Sequence, residues 1–341
     1  MNFLLLGGYN TKAVLALSRY FSLNKLSFCV IASDKKDPIL QSIYIKNVSF
    51  VRKTKELDLD TFKKFSNNIS FNGETVLMPT SEFLIRFYLD NIDFFNELSI
   101  IMPVCNKDLY LKLSDKYSFS MECIRFKINV PRELDKVKVR PPFVIKSKRY
   151  LPGFSPILIH SSEEYDKYND LKFKTDDFFY QEFIQGESFY LLGSINKNGK
   201  ISVNSQQNLI QEPFGGSIVS AILSDYHLSS DAKEYLNLLI ENKYYGFFMI
   251  EVRKSDDNSF YAIEVNPRLW GPLQLLVDND TSILCNILED YGFKIKPKIR
   301  KKTKPYFRKN AFETIQDLKI LCDFDIVKYQ NNDLLTRNDI L

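Results

Sequence analysis

The chain has 341 residues, 45% hydrophobic and 26% charged, and a net charge of only +4 from 46 basic and 42 acidic side chains. That length suits about two domains with real cores, and the balance excludes disorder, a membrane class and a nucleic-acid binder recruited by bulk charge. Five scattered cysteines without a CxxC pair argue against a disulfide framework or zinc site and fit a reducing cytosol, while two histidines, His160 and His227, leave His-based triads and metal sites little to draw on.

The apolar start Phe3-Leu4-Leu5-Leu6 lacks a basic flank, is too short for a signal segment and runs into Gly7-Gly8, so it reads as a first strand. A helix with the stripe Ala13, Leu15, Ala16, Leu17, Tyr20 and Phe21 follows, then a strand over 26–32, which opens a parallel sheet. GxGxxG is absent, and Gly7-Gly8 is either a structural turn or a ligand loop. A strand at 75–78 stops at Pro79 before a helix capped by Thr80 or Ser81, and a short strand ends at Pro103. No apolar run approaches the roughly 20 residues that cross a bilayer.

Residues 107–124 read as helical, 141–147 as a strand ending in the polar loop SKRYLPGFS, and 161–171 as a capped helix. A strand, a turn over Ile184 to Glu187 and a hairpin tipped by Asn198-Gly199 come next, then the glycine loop PFGGS, a capped helix and a last β-hairpin. These strands pair antiparallel, so the second half forms a different domain. The basic run KIKPKIRKKTKPY reads as a solvated connection or a surface for an acidic or phosphate partner.

Chemistry concentrates in SFYAIEVNPRLWG, residues 259–271. Side chains at i, i+2 and i+4 of a strand share a face. Glu264, Asn266 and Arg268 therefore point one way, leaving Ile263, Val265 and Leu269 available for packing. The preceding strand GFFMIEVR brings Glu251 beside Glu264. Two close carboxylates and an amide oxygen repel unless a cation sits between them, and hard oxygen donors suit Mg²⁺ shared with phosphate. Arg268 then faces the bound anion as a bidentate partner.

Glu251 together with Glu264-Val265-Asn266-Pro267-Arg268 resembles the "E … ExNPR" metal-binding signature of the ATP-grasp superfamily, which includes carboxylate–amine ligases and biotin-carboxylase-like and carbamoyl-phosphate-synthase-like enzymes. The resemblance spans the chain. It implies an α/β fold: a parallel pre-ATP-grasp domain over 1–105, then a two-lobed ATP-grasp domain with antiparallel sheets, an N-lobe with lid over 106–182, a C-lobe with the metal site over 183–305, and a tail over 306–341. Ser114-Asp115-Lys116 and Lys146 are similar to the two phosphate-binding lysines. FFYQEFIQGESF resembles the hinge that reads adenine: backbone groups near Phe183 and Ile184 for the ring edge, Gln181 or Glu182 for the exocyclic amine, Glu187 for the ribose. The usual glycine-rich phosphate loop is here SKRYLPGFS, so Lys148 and Arg149 are candidates for that cover, and PFGGS is placed near the acceptor pocket. Leu269-Trp270-Gly271 is similar to a bacterial subgroup with Trp-Gly after the signature, with Trp270 as core or wall.

The resemblance implies a cytoplasmic, Mg²⁺-dependent ligase using ATP, with two metal ions or Mn²⁺ in their place. ATP phosphorylates a small carboxylate, an amino acid or sugar acid, and an amine attacks the acyl phosphate. Arg268 and Lys146 would act on the reacting groups. Neither nucleic acid nor membrane is an expected partner; a homodimer is. Two alternatives use the same residues: biotin-carboxylase-like carboxylation, and a non-catalytic or regulatory ATP-binding module.

Overall fold

The computed structural model describes residues 2–53, 57–68, 74–168, 173, 175–211, 218–307 and 339. The PFGGS loop, Cys322 and most of the 306–341 tail lie outside the described residues.

The chain opens with β1 (Asn2–Leu6), α1 (Thr11–Leu23), β2 (Phe28–Ala32), β3 (Val48–Val51), α2 (Leu59–Asn68), β4 (Thr75–Leu77), α3 (Glu82–Asp90), α4 (Ile92–Glu97) and β5 (Ile100–Ile101). The five strands form a parallel sheet in the order β3-β2-β1-β4-β5. Buried on both faces, β1 sends Phe3 and Leu5 into one core and Leu4 and Leu6 into another, as a covered parallel strand must. Ser81, rather than Thr80, caps α3 through its hydroxyl on the Leu84 N–H.

The crevice behind Gly7-Gly8 is filled by protein. Arg52, 2% exposed, donates to the carbonyls of Gly7 at 2.7 Å and Ala32 at 3.5 Å. Asp37 accepts from the backbone of Ser33 and Ile39. A Cβ on Gly8, at φ +101°, would stand 2.6 Å from the Ser33 side chain, so the glycine serves close packing of the turn.

Two helices follow, α5 (Lys107–Ser114) and α6 (Lys116–Arg125), where one continuous helix was expected. The break falls at Asp115, whose extended backbone starts α6 while its carboxylate is drawn to Arg86 at 2.9 Å. β6 (Glu133–Leu134), β7 (Phe143–Ser147), β8 (Ile157–Ile159), α7 (Ser162–Tyr168) and β9 (Phe178–Glu182) then build a small antiparallel sheet, β6-β9-β7-β8, around its own core of Phe143, Ile145, Ile159, Phe173, Phe178 and Tyr180.

The remainder is β10 (Glu187–Ile195), β11 (Ile201–Gln211), β12 (Ile218–Ser224), α8 (Ser230–Glu241), β13 (Gly246–Lys254), β14 (Phe260–Asn266), α9 (Gln274–Asn279), α10 (Ser282–Leu288) and β15 (Tyr306–Phe307). The large antiparallel sheet runs β14-β13-β10-β11-β12-β15. Its two faces share both cores of the parallel sheet: Tyr190, Leu192, Phe247 and Trp270 join Phe3 and Leu5, whereas Leu191, Phe248, Ile250 and Val265 join Leu4 and Leu6. Leu109, Tyr110, Leu113, Phe119 and Cys123 of α5 and α6 belong to that second core, so these helices pack beneath β14, and α6 also touches the small sheet, where Tyr117 meets Phe179 at 5.3 Å. The antiparallel pairing of the second half and the parallel pairing of the first match the expected α/β architecture. No described helix is long and apolar enough to cross a membrane.

Candidate active site

The site forms where the small sheet faces the β13–β14 ribbon. Glu251 stands directly opposite Glu264, with Tyr190 on its other flank. Just beyond, the register slips: Val252 pairs with Ala262, and Ile263 is the extra residue of a bulge. The bulge alters one expectation. Ile263 leaves the packing face and lines the cleft beside Glu264, while Ala262 and Val265 go to the core.

Charges crowd the ribbon. Lys116, at the start of α6, is ion-paired with Glu264 Oε2, and Asn266 Nδ2 donates to Glu264 Oε1 at 2.7 Å. Arg268 donates to Asn266 Oδ1 at 2.8 Å and to the Leu269 carbonyl at 3.0 Å. Lys146, 4% exposed at the end of β7, reaches across the cleft to the Ile263 carbonyl at 3.3 Å. Burial would raise the Glu264 carboxyl, but Lys116 and the Asn266 amide outweigh it and hold Glu264 ionised. Glu251 is pushed the other way, by burial first and by the Glu264 charge second. Lys146 is lowered to about 8, by burial and then by Lys116. Two carboxylates driven apart in this way, beside a cation driven down, mark a place built to receive further charge.

Two hollows meet at these carboxylates. One, of about 470 Å³, lies between the sheets and is lined by Val144, Lys146, Leu158, Phe183, Ile184 and Ile263, with Glu182 and Arg253 at its rim. The other, of about 210 Å³, is lined by Lys12, Tyr190, Met249, Asn266, Arg268 and Trp270. Glu251 and Glu264 line both.

The structure brings together Lys116, Lys146, Glu251, Glu264, Asn266 and Arg268, and places Glu182, Phe183 and Ile184 on the first hollow. No other described residue hydrogen-bonds to the backbone of Phe183 or Ile184, which leaves those groups for a ring edge. Gln181 and Glu187 are placed elsewhere. Gln181 faces the same way as Lys146 but is covered by α6, donating to the Pro131 carbonyl at 3.1 Å and to Ser120 at 3.5 Å. Glu187 is exposed and accepts from Gln207 at 2.6 Å. Lys148 and Arg149 line a separate hollow with Asp176 and Asp177, whereas Ser155 and Pro156 of the same loop roof the cleft. Trp270 is wall and core together, 1% exposed.

Sequence reading missed Arg253, Lys12 and Tyr190. Arg253 was legible, two residues beyond Glu251 on the same face; it lies 5.5 Å from the Phe183 ring. The other two come from distant elements and carry no local signal. Asp115, between its helices, anchors Arg86 and accepts the Tyr150 N–H at 3.2 Å, so Ser114-Asp115-Lys116 fixes the lysine's starting point.

No family model matches the chain. No curated protein matches it either. Solved structures do. An ADP complex of N⁵-carboxyaminoimidazole ribonucleotide synthetase is similar over 89% of this chain and 80% of its own, with a TM-score of 0.64 at 12% identity. The biotin carboxylase–βγ-ATP complex from Campylobacter jejuni matches over 87% and 73%, TM-score 0.64, 13% identity. N⁵-carboxyaminoimidazole synthetase from Staphylococcus aureus matches over 89% and 80%, TM-score 0.62, 14% identity. At such identities the likeness speaks for the fold alone. Together with the parallel sheet, the small sheet and the large sheet bearing Glu251 and Glu264, it establishes that this chain has the ATP-grasp fold.

Proposed function

We propose that the chain is an ATP-dependent ligase that joins a small carboxylate to an amine through an acyl phosphate, releasing ADP and phosphate. The observation that carries this reading is the pair of hollows sharing Glu251 and Glu264. A nucleotide in one and an acid in the other would meet at the carboxylates, as in-line phosphoryl transfer requires. The larger hollow falls within the size range of small-ligand pockets, roughly 300–1,000 Å³, with apolar walls, unpaired hinge backbone and Lys146 at its charged end. The proteins of similar fold include ADP and ATP complexes by name.

The donor set fits a hard divalent cation. Among the described residues no three His, Cys, Asp or Glu side chains cluster, so the protein supplies two carboxylates and an amide, and nucleotide phosphates and water would complete the shell. Asn266 Oδ1 has a second lone pair beyond the one taken by Arg268. Glu251, Glu264 and Asn266 would hold Mg²⁺, one ion or two, with Mn²⁺ suited to the same oxygens; the metal would screen phosphate charge. Lys146 binds phosphate oxygens, Lys116 moves from Glu264 to phosphate once that carboxylate is neutralised, and Arg268 steadies the acyl phosphate in the second hollow. The reading assigns 1–105 to the acid pocket, 106–182 and 183–305 to the nucleotide clasp, and a homodimer to the assembly.

Phosphate release from ATP and Mg²⁺ across a panel of acids, amines and bicarbonate, with Glu264→Ala as blank, tests the reading. Release that needs one acid and one amine supports the ligase. Release that needs bicarbonate transfers the site to carboxylation, and silence with ATP still bound transfers it to a binding module.

A further inference from the structure

Three parts of the molecule meet at Arg86 of α3. Its guanidinium donates through Nε and Nη2 to Glu82 Oε1 at 3.0 and 2.9 Å, a pair one turn apart on the same helix. The same Nη2 donates to Ser114 Oγ at 3.1 Å and to Asp115 Oδ1 at 2.9 Å, at the junction of α5 and α6. The flat face of the group lies over the Tyr150 ring, in the loop between β7 and β8, with Cζ 4.5 Å from the ring centroid.

Two of those parts bear on the larger hollow. Asp115 immediately precedes Lys116, the cation on Glu264. Its side chain does not cap α6; Oδ1 accepts instead from Arg86 and from the Tyr150 N–H at 3.2 Å. The loop is long for a simple connection. β7 and β8 pair directly, and paired strands are usually joined by about 2–5 residues, yet this link runs from Lys148 to Pro156. It is fastened at two points. Tyr150 holds its beginning to Arg86 and Asp115, and Phe154 holds its later part against Phe178 at 5.3 Å. Between them Leu151, Pro152 and Gly153 are exposed, and Gly153, at φ +76°, stands in open space. Ser155 and Pro156, which come next, roof the cleft.

We propose that Arg86 is a positioning residue for the nucleotide site. Through Ser114 and Asp115 it sets the start of α6, and with it Lys116. Through Tyr150 it holds the loop whose far end roofs the cleft. A side chain from the parallel-sheet domain thus places a cation and the roof together while lining neither hollow that meets at Glu251 and Glu264. This rests on the ligase reading in taking the larger hollow as the nucleotide's.

Two measurements on the full chain test this. Trypsin reads the loop without turnover, because it cuts after Lys148 and Arg149, with cutting after Lys112 in α5 as the internal reference. Calorimetry with Mg²⁺ and a non-hydrolysable ATP analogue reads the cleft. Tyr150→Leu removes the ring but leaves the Asp115 contacts with Arg86 and the loop backbone. Cutting after Lys148 or Arg149 then speeds by roughly three- to tenfold, the reference cut does not change, and the analogue binds several-fold more weakly. Tyr150→Phe keeps the ring and matches the parent chain in all three. Arg86→Gln speeds the loop cut to the same degree and weakens the analogue further, by about tenfold or more, because Lys116 is released as well. In the double variant the loop cut is no faster than in Arg86→Gln alone, since the ring acts through the guanidinium. An unchanged loop cut or affinity in Tyr150→Leu, a reference cut that rises in step, or loop effects that multiply in the double variant overturns the inference. Failure of the parent chain to bind the analogue overturns the ligase reading itself.

Discussion

The C-terminal edge of β1 and β2 and the β13–β14 ribbon are both polar and partly buried, yet they differ in how their charges are answered. At the first, Arg52 and Asp37 spend themselves on the carbonyls and amides of the turns around them. At the second, Glu251 and Glu264 confront each other, and among the described residues only Lys116 is ion-paired to either of them. Polarity alone therefore does not mark a site. Charge that the fold leaves in conflict does, because burying it costs stability that packing alone would not spend.

Substitutions can break this contrast. The largest effect belongs to Glu264→Ala, which lowers ATP-dependent phosphate release by about 100-fold or more while the melting temperature stays within a few degrees; a collapsed melting temperature would make the ribbon structural. Arg52→Ala does the opposite, costing about 2–3 kcal/mol in denaturant titration by orphaning buried carbonyls, with nucleotide affinity unchanged. Loss of nucleotide binding in that variant would reopen the Gly7-Gly8 turn as a ligand loop.

Gly186→Ala probes the hinge between the two sheets. The residue sits at φ +133° and a Cβ would lie 2.0 Å from the Lys254 carbonyl, so about 2 kcal/mol of stability is lost and the apparent KM for ATP rises. Lys146 tests the cleft by pH. On the proposed function its ammonium, lowered to about 8, is the form that binds phosphate, so nucleotide affinity falls as pH rises through 8, by about tenfold per unit at the limit of one linked proton. In Lys146→Gln that dependence disappears, and a dependence that persists assigns it to another group.

The smallest effect comes from a carboxylate that is fully answered. Glu122 receives Lys112, Arg125 and Asn242 at 2.5–3.0 Å. Burial would raise it, but Arg125, Lys112 and Asn242 outweigh burial and hold it at about 2. A depressed carboxyl stabilises the fold above its ordinary value near 4.5 and loses that contribution as pH falls through about 2. Glu122→Gln therefore costs about 1 kcal/mol at neutral pH, and the difference from the parent chain vanishes in acid denaturation followed by circular dichroism.

Much of this was legible in sequence where the rule is local. Strand alternation places Glu251, Glu264 and Asn266, and apolar runs ended by glycine or proline place the parallel sheet. What depends on register was not. The bulge that turns Ile263 into the cleft is one skipped pairing with no residue of its own to announce it. Gln181 lies on the expected face, but a helix residue 61 positions earlier in the chain covers it, and the break at Asp115 answers to Arg86 from a different element. Lys12 and Trp270 meet Arg268 only because two loops are hydrogen-bonded across the sheets.

Those loop bonds and the shared cores also constrain any exchange of the opening sheet. Phe3 and Leu5 pack with Trp270, Leu275 and Leu284, and Leu4 and Leu6 with Ile250 and Val265. The opening sheet is thus no cassette. A chimera that exchanged it for another chain's would need matching residues on β13, α9 and α10 to keep both cores closed.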